Sequence, residues 1–134
     1  FEAGTPNIAD GIGLGAAIDF INSLGIENIQ SHEQQIMDYA TQALKDLGGI
    51  RIVGEAPEKA GALSFLVEGV HPYDTGMVLD KMGIAIRTGH HCAQPVMDFF
   101  NIPGTARASF AVYNTTEDID QLIAGLQRVK HMFA

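Results

Sequence analysis

The apolar positions of this chain fall into alternating helical and extended patterns, with turn residues between them. Ile8 to Leu24 carries aliphatic and small residues at helical spacing and stops at Gly25, predicting a buried helix. Ser31 with Gln34 fits a capping box, and Ile36, Tyr39, Ala40, Ala43, Leu44 and Leu47 form one stripe before Gly48-Gly49. That pattern predicts a second helix, beginning at Ser31 or a turn earlier. Ile50 to Gly54 and Ala62 to Val67 read as strands around a loop holding Pro57 and Gly61, and Tyr73 to Met82 as a helix. Ile84, Ala85 and Ile86 read as a short buried strand, Ala93 to Phe100 as a short helix with Pro95 in its first turn, and Arg107 to Val112 as a further strand. Glu117 to Met132 predicts the last helix, burying Ile119, Leu122, Ile123, Leu126 and Val129, with acids early and bases late as the helix dipole favours. The sum is a small α/β domain of the α+β kind with a leading helix, without internal repeat or linker.

Composition narrows the functional classes. The 134 residues match one domain, and 46% hydrophobic content places the chain among globular proteins. Sixteen acidic against eight basic residues give a net charge of -8, which disfavours a surface that tracks nucleic-acid phosphates. No signal peptide, long apolar span or lipidation motif points to a membrane. A single cysteine excludes an intramolecular disulfide and suits a reducing, cytoplasmic setting. The chain opens Phe1-Glu2-Ala3-Gly4-Thr5-Pro6 without an initiator methionine, and we expect it to be part of a longer protein.

That cysteine, Cys92, lies in Arg87-Thr88-Gly89-His90-His91-Cys92-Ala93-Gln94-Pro95, on a strand-to-helix turn. Exposed amides and the helix dipole there favour an anion, with Arg87, His90 and His91 adding to the field, and a thiolate is the nucleophilic form. Free cysteines are more often buried as small hydrophobes, but Gly89, His90, His91 and Gln94 are poor core neighbours. A metal reading of His90, His91 and Cys92 lacks a second ligand pair, since His32, His71 and His131 stand alone, so no metal is expected. Gly11, Gly13 and Gly15 are spaced GxGxG without a preceding strand, which argues for close packing against another element, in this chain or outside it, rather than nucleotide binding. Arg107 interrupts a run of small residues, Thr105-Ala106-Arg107-Ala108-Ser109. It calls for a partner, either an internal acid or the carboxylate of an amino-acid substrate held by two parallel hydrogen bonds, and Arg87 presents the same choice.

Taken together, the Arg87 to Pro95 run, Arg107-Ala108-Ser109 and Tyr113-Asn114-Thr115 resemble the C-terminal part of the group II cysteine desulfurases of the SufS/CsdA type. Phe1 to Pro6 and the Gly11 to Gly15 helix are similar to the family's segment leading into its small domain, so the resemblance spans the chain. It implies a pyridoxal 5'-phosphate enzyme of fold type I, aminotransferase class V, that converts L-cysteine to L-alanine and a persulfide for iron–sulfur cluster assembly or related sulfur delivery. It further implies Cys92 as the sulfur-accepting nucleophile, Arg107 and Arg87 as substrate-binding residues, and Gly4 and Thr5 as a loop reaching the cofactor phosphate of the neighbouring subunit in a homodimer. His90 and His91 would shape or polarise the loop. On this reading residues 1–25 are a leading loop and connecting helix, and residues 26–134 the small domain. The large domain and its Schiff-base lysine are absent, since Lys45, Lys59, Lys81 and Lys130 do not sit in the family's lysine motif, and the chain alone is expected to be inactive. A selenocysteine lyase of the same fold, or a non-catalytic module binding a sulfur-acceptor protein, are the alternatives.

Overall fold

The computed structural model describes residues 1, 4–57, 59 and 61–134; Glu2 and Ala3 of the leading turn lie outside them. Among the described residues the elements run α1 (Ile8–Leu24), α2 (Ile26–Leu47), β1 (Ile50–Val53), β2 (Ala62–Val67), α3 (Pro72–Asp80), β3 (Arg87–Gly89), α4 (Gln94–Phe100), β4 (Thr105–Ser109) and α5 (Thr116–Phe133). They form two compact units, Phe1–His32 and Glu33–Ala134, with the division inside α2.

In the first unit, Asn7 caps α1 by accepting the Asp10 amide at its side chain, and Gly25 ends the helix at φ 83°. The expected burial of α1 is corrected: no residue of the helix is buried, and Ile8, Ile12, Leu14, Ile18, Phe20 and Ile21 are all exposed. The physical reason lies in its composition, which is apolar around much of its circumference and so asks for cover on several sides. A Cβ at Gly11, Gly13 or Gly15 would meet nothing within 4 Å, so no described element of this chain is the close-packing partner that the glycines suggest. The second helix starts at Ile26, five residues before the capping box read at Ser31, as the Gly25 carbonyl accepts from the amides of Asn28 and Ile29 and begins the helix there.

The second unit is built on a four-stranded antiparallel sheet in the order β1-β2-β4-β3. β2 and β3 therefore run parallel, and α3 crosses between them over the place that β4 later fills. The inward positions of β2 (Leu63, Phe65, Val67) and of β4 (Ala106, Ala108) meet Ile36, Met37, Ala40 and Leu44 of α2, Leu79 of α3, and Ile119, Leu122, Leu126 and Val129 of α5 in one core. Period-two burial on the strands and the helical stripes on α2 and α5 thus point to the same place. Two polar contacts tie α2 to α5: Tyr39 donates to Asp120 at 2.7 Å, and Lys130 donates to the terminal α2 carbonyl of Leu47 and to that of Gly48.

One extended segment sits elsewhere than its sequence pattern suggests. Ile84 to Ile86 is not a strand; the ladder begins at Arg87, where the apolar run ends. The Ile84 amide is spent on the Leu79 carbonyl at the end of α3, so the segment still belongs to the helix exit, while Ile84 and Ile86 pack half-buried against the core. β4 likewise starts and ends earlier than Arg107–Val112, because the Phe110 amide turns to the Gly61 carbonyl.

β3 and β4 are joined by residues 90–104, which leave the sheet at Gly89 and return to it beside Gly89, since Gly89 pairs with Thr105. At this root Gly104 lies at φ 155°, and a Cβ there would stand 2.8 Å from the Gly89 carbonyl carbon. Backbone cannot yield as a side-chain end can. Gly104→Ala is expected to destabilise the protein by about 2–3 kcal/mol, against roughly 1–2 kcal/mol for Gly54→Ala, whose Cβ would meet nothing and which pays only for its φ of 89°. Urea titration of both variants checks this ordering.

Candidate functional site

The register of β3 on β4 places Arg87 directly opposite Arg107, with Ser64 of β2 beyond it in the same row. Two cations facing each other across a ladder repel, and such a pair ordinarily costs stability. Neither arginine has an ion-pair partner among the described residues. Arg107 is half-buried and its Nε is buried without a hydrogen-bond partner. Of the two partners the sequence leaves open, no internal acid pairs with it among the described residues. The row is a place where an anion would relieve both the repulsion and the orphaned donor.

Cys92 lies three residues beyond β3 and two before α4, exposed. His91 and Cys92 both occupy the left-handed region, at φ 55° and 57°. For residues with a Cβ this conformation costs about 1–2 kcal/mol each, so the turn has to be held. Two contacts made by the preceding histidines hold it. His90 Nδ1 accepts the Cys92 amide at 3.0 Å, closing a local turn. His91 reaches from the loop to the first residue of β4, its Nε2 lying 2.9 Å from Thr105 Oγ1 and 3.2 Å from the Thr105 carbonyl.

The carbonyl can only accept, which places the His91 proton on Nε2 and leaves Nδ1 with a bare lone pair. That Nδ1 is buried and unpartnered. The neutral form is favoured: burial, foremost, and the nearby charge of Arg107 hold the His91 imidazole below its ordinary value of 6.5, with smaller contributions in the same direction from Arg87 and His90. The bond to the Thr105 backbone works the other way.

The helix after the cysteine contributes less field than the sequence pattern suggests. α4 has seven residues, Pro95 has no amide proton, and the Cys92 and Ala93 amides are already given to His90. Its apolar residues are largely outside, Phe99 most of all at 82% exposure, with only Met97 buried.

Sequence reasoning thus identified Cys92, Arg87 and Arg107, and the structure gathers all three on β3, β4 and the turn between them. It missed Thr105, which carries the His91 bond. Fourteen residues separate the two, and a threonine opening a strand has no pattern that marks it as an anchor. Gly4 and Thr5 belong to the other unit, where both are exposed and Gly4 has φ 105°. Among the described residues no group of three or more histidine, cysteine or acidic side chains is placed to hold a metal.

Comparison with known proteins places the chain in a family. A cysteine desulfurase from Serratia proteamaculans (strain 568) is 52% identical over 132 residues, covering 98% of this chain and 32% of the relative. The apo structure of a cysteine desulfurase from Thermococcus onnurineus NA1 superposes with a TM-score of 0.91 at 40% identity, over 96% of this chain and 32% of that one. The S-sulfonic acid form of the cysteine desulfurase CsdA from Escherichia coli superposes with a TM-score of 0.91 at 36% identity, over 100% and 33%. The chain therefore spans about a third of the length of the relatives it matches. The family model for aminotransferase class V matches residues 1–122, so the sheet, the facing arginines and the cysteine turn are those of a family member, and the chain belongs to the aminotransferase class V family.

Proposed function

We propose that this chain is the C-terminal part of a cysteine desulfurase, with residues 1–25 as its leading loop and helix and residues 26–134 as its small domain. The observation that carries the reading is the Arg87–Arg107 row: two facing cations without an acid among the described residues, beside an exposed cysteine on a held turn. Such a row suits the carboxylate of an amino acid, and Arg107 offers its unpartnered Nε toward that role. Similarity to proteins named cysteine desulfurase supports L-cysteine as that amino acid.

The residues divide the work. Arg107, with Arg87 across the ladder, binds and orients the substrate carboxylate. Cys92 attacks the substrate sulfur as a thiolate; a sulfur–sulfur bond forms on Cys92 while the carbon–sulfur bond of the substrate breaks. The electron pair stays with the substrate β-carbon, which takes a proton to become the methyl group of alanine. Cys92 is left as a persulfide, exposed and able to pass its outer sulfur to an acceptor protein.

Pyridoxal 5'-phosphate, when bound, supplies the electron sink that this bond cleavage needs. Within this chain the fitting feature is the exposed Gly4-Thr5 turn, whose backbone donors and hydroxyl suit a phosphate oxygen, in the neighbouring subunit of a homodimer. The Schiff-base lysine is expected from elsewhere in the full-length protein, as none of Lys45, Lys59, Lys81 and Lys130 sits in the family's lysine motif. The apolar residues exposed along α1 are the surface expected to meet the rest of that protein. No helix among the described residues is long and apolar enough to cross a membrane, and a cytoplasmic location for sulfur delivery fits the free thiol.

Two outcomes are expected. The full-length protein, loaded with pyridoxal 5'-phosphate and exposed briefly to L-cysteine without reductant, gains one sulfur on the Cys92 peptide by mass spectrometry, and Cys92→Ala gains none. An unmodified Cys92 in cofactor-loaded protein would overturn the assignment. Arg107→Lys in the same protein raises KM for L-cysteine by about ten- to a hundredfold, as the loss of a two-pronged charged contact costs roughly 1.5–3 kcal/mol. Steady-state alanine release measures it, and an unchanged KM would remove the carboxylate role from Arg107.

A further inference from the structure

The turn that carries Cys92 is strained, yet the residues that hold it are few. His90 acts within the turn itself, bonding an amide two residues away, and fixes nothing relative to the sheet. Thr105, by contrast, is fully buried at the head of β4 and paired with Gly89, and Arg107 stands two residues further along the same strand. Among the described residues, His91 is the side chain of the turn that bonds to that strand. Its bond joins the reactive turn to the element that holds the arginine row.

The geometry points to His91 as a positioning residue for the cysteine: in its neutral form, with Nε2 donating to Thr105, it clamps the left-handed turn to β4 and sets where Cys92 stands relative to Arg107. The catalytic part of this inference rests on the desulfurase reading; the clamp itself does not. The groups around the imidazole define how the clamp is released. Arg107 from β4, Arg87 from β3 and His90 from the turn bring positive charge, and Thr105 is the neutral acceptor. A second proton would go to the buried Nδ1, which has no acceptor among the described residues. Protonation therefore sets an unpaired donor and a third cation beside the arginines, and the turn lets go.

The linkage has a definite sign. A histidine held below its ordinary 6.5 takes up its proton more readily when released than when clamped. The clamped turn is fully favoured above about pH 6.5 and loses ground as the pH falls from there toward the lowered value.

The test uses the full-length, cofactor-loaded protein with His91→Phe, which keeps a ring and removes the donor, and His91→Gln, whose amide nitrogen restores one near the position of Nε2. With L-cysteine, His91→Phe is expected to lower kcat by about tenfold or more with KM changed less than about twofold, and His91→Gln to recover to within about threefold of wild type. Hydrogen exchange at residues 90–93 is expected to quicken about tenfold in His91→Phe and to return toward wild type in His91→Gln. The wild-type kcat should fall on acidification below about pH 6.5 more steeply than that of His91→Gln, which has no proton to gain at this position. Wild-type kcat and exchange in His91→Phe, or equal loss in both variants, would overturn the clamp. If the wild-type protein releases no alanine, the activity reading has failed, and the exchange rates alone decide on His91.

Discussion

The chemistry of the second unit depends on one short ladder, three residues of β3 against the first three of β4. Its register decides which side chains share a row. A slip by one residue would send Arg87 to the opposite face of the sheet from Arg107 and separate Gly89 from Thr105. Short ladders hold their register poorly by themselves, so the specification comes from outside the backbone pairing. Thr88, on the inward side of β3, stands so close to Gly76 of α3 that a Cβ there would lie 2.7 Å from its methyl group. Gly104 meets the Gly89 backbone with equal closeness. Both contacts accept only glycine, and both are lost if the strand moves by one position.

This constraint orders the rest of the unit. The α3 helix has to lie over β3, and its exit through Ile84 delivers the chain to Arg87 with the helix-terminal hydrogen bonds already made. α5 then packs against α3 at Gly125, where a Cβ would stand 2.5 Å from Leu79 and 2.7 Å from Ile84. The core residues of α2 complete the layer. An arginine pair that costs stability is thus supported by a well-packed helical face behind the sheet, the usual relation between a strained functional feature and the scaffold that bears it.

Much of this was legible in the sequence, for reasons that can be named. The α2 and α5 stripes and the alternation in Ala62–Val67 express burial on one side only, and period is a faithful record of that. Ile84 to Ile86 misled because a short apolar run is equally consistent with a strand and with a half-buried connection, and hydrogen bonding to α3 decided between them. α1 misled for the opposite reason: its composition records a need for cover, and composition does not say which chain supplies the cover. Cys92 and the two arginines stood out because each is chemically out of place among its neighbours. Thr105 did not, as its importance comes from a partner in a different loop.

The way residues 90–104 leave and rejoin the sheet at neighbouring points has a consequence for range. Cys92 is three residues from Gly89, and three residues of fully extended chain span only about 10 Å. Even with every contact of the turn broken, the sulfur is leashed to the edge of the sheet and cannot travel as a swinging arm would. On the proposed transfer role, an acceptor would have to bring its own reactive atom into that small radius, and its shape, more than the mobility of the cysteine, would set which acceptors fit.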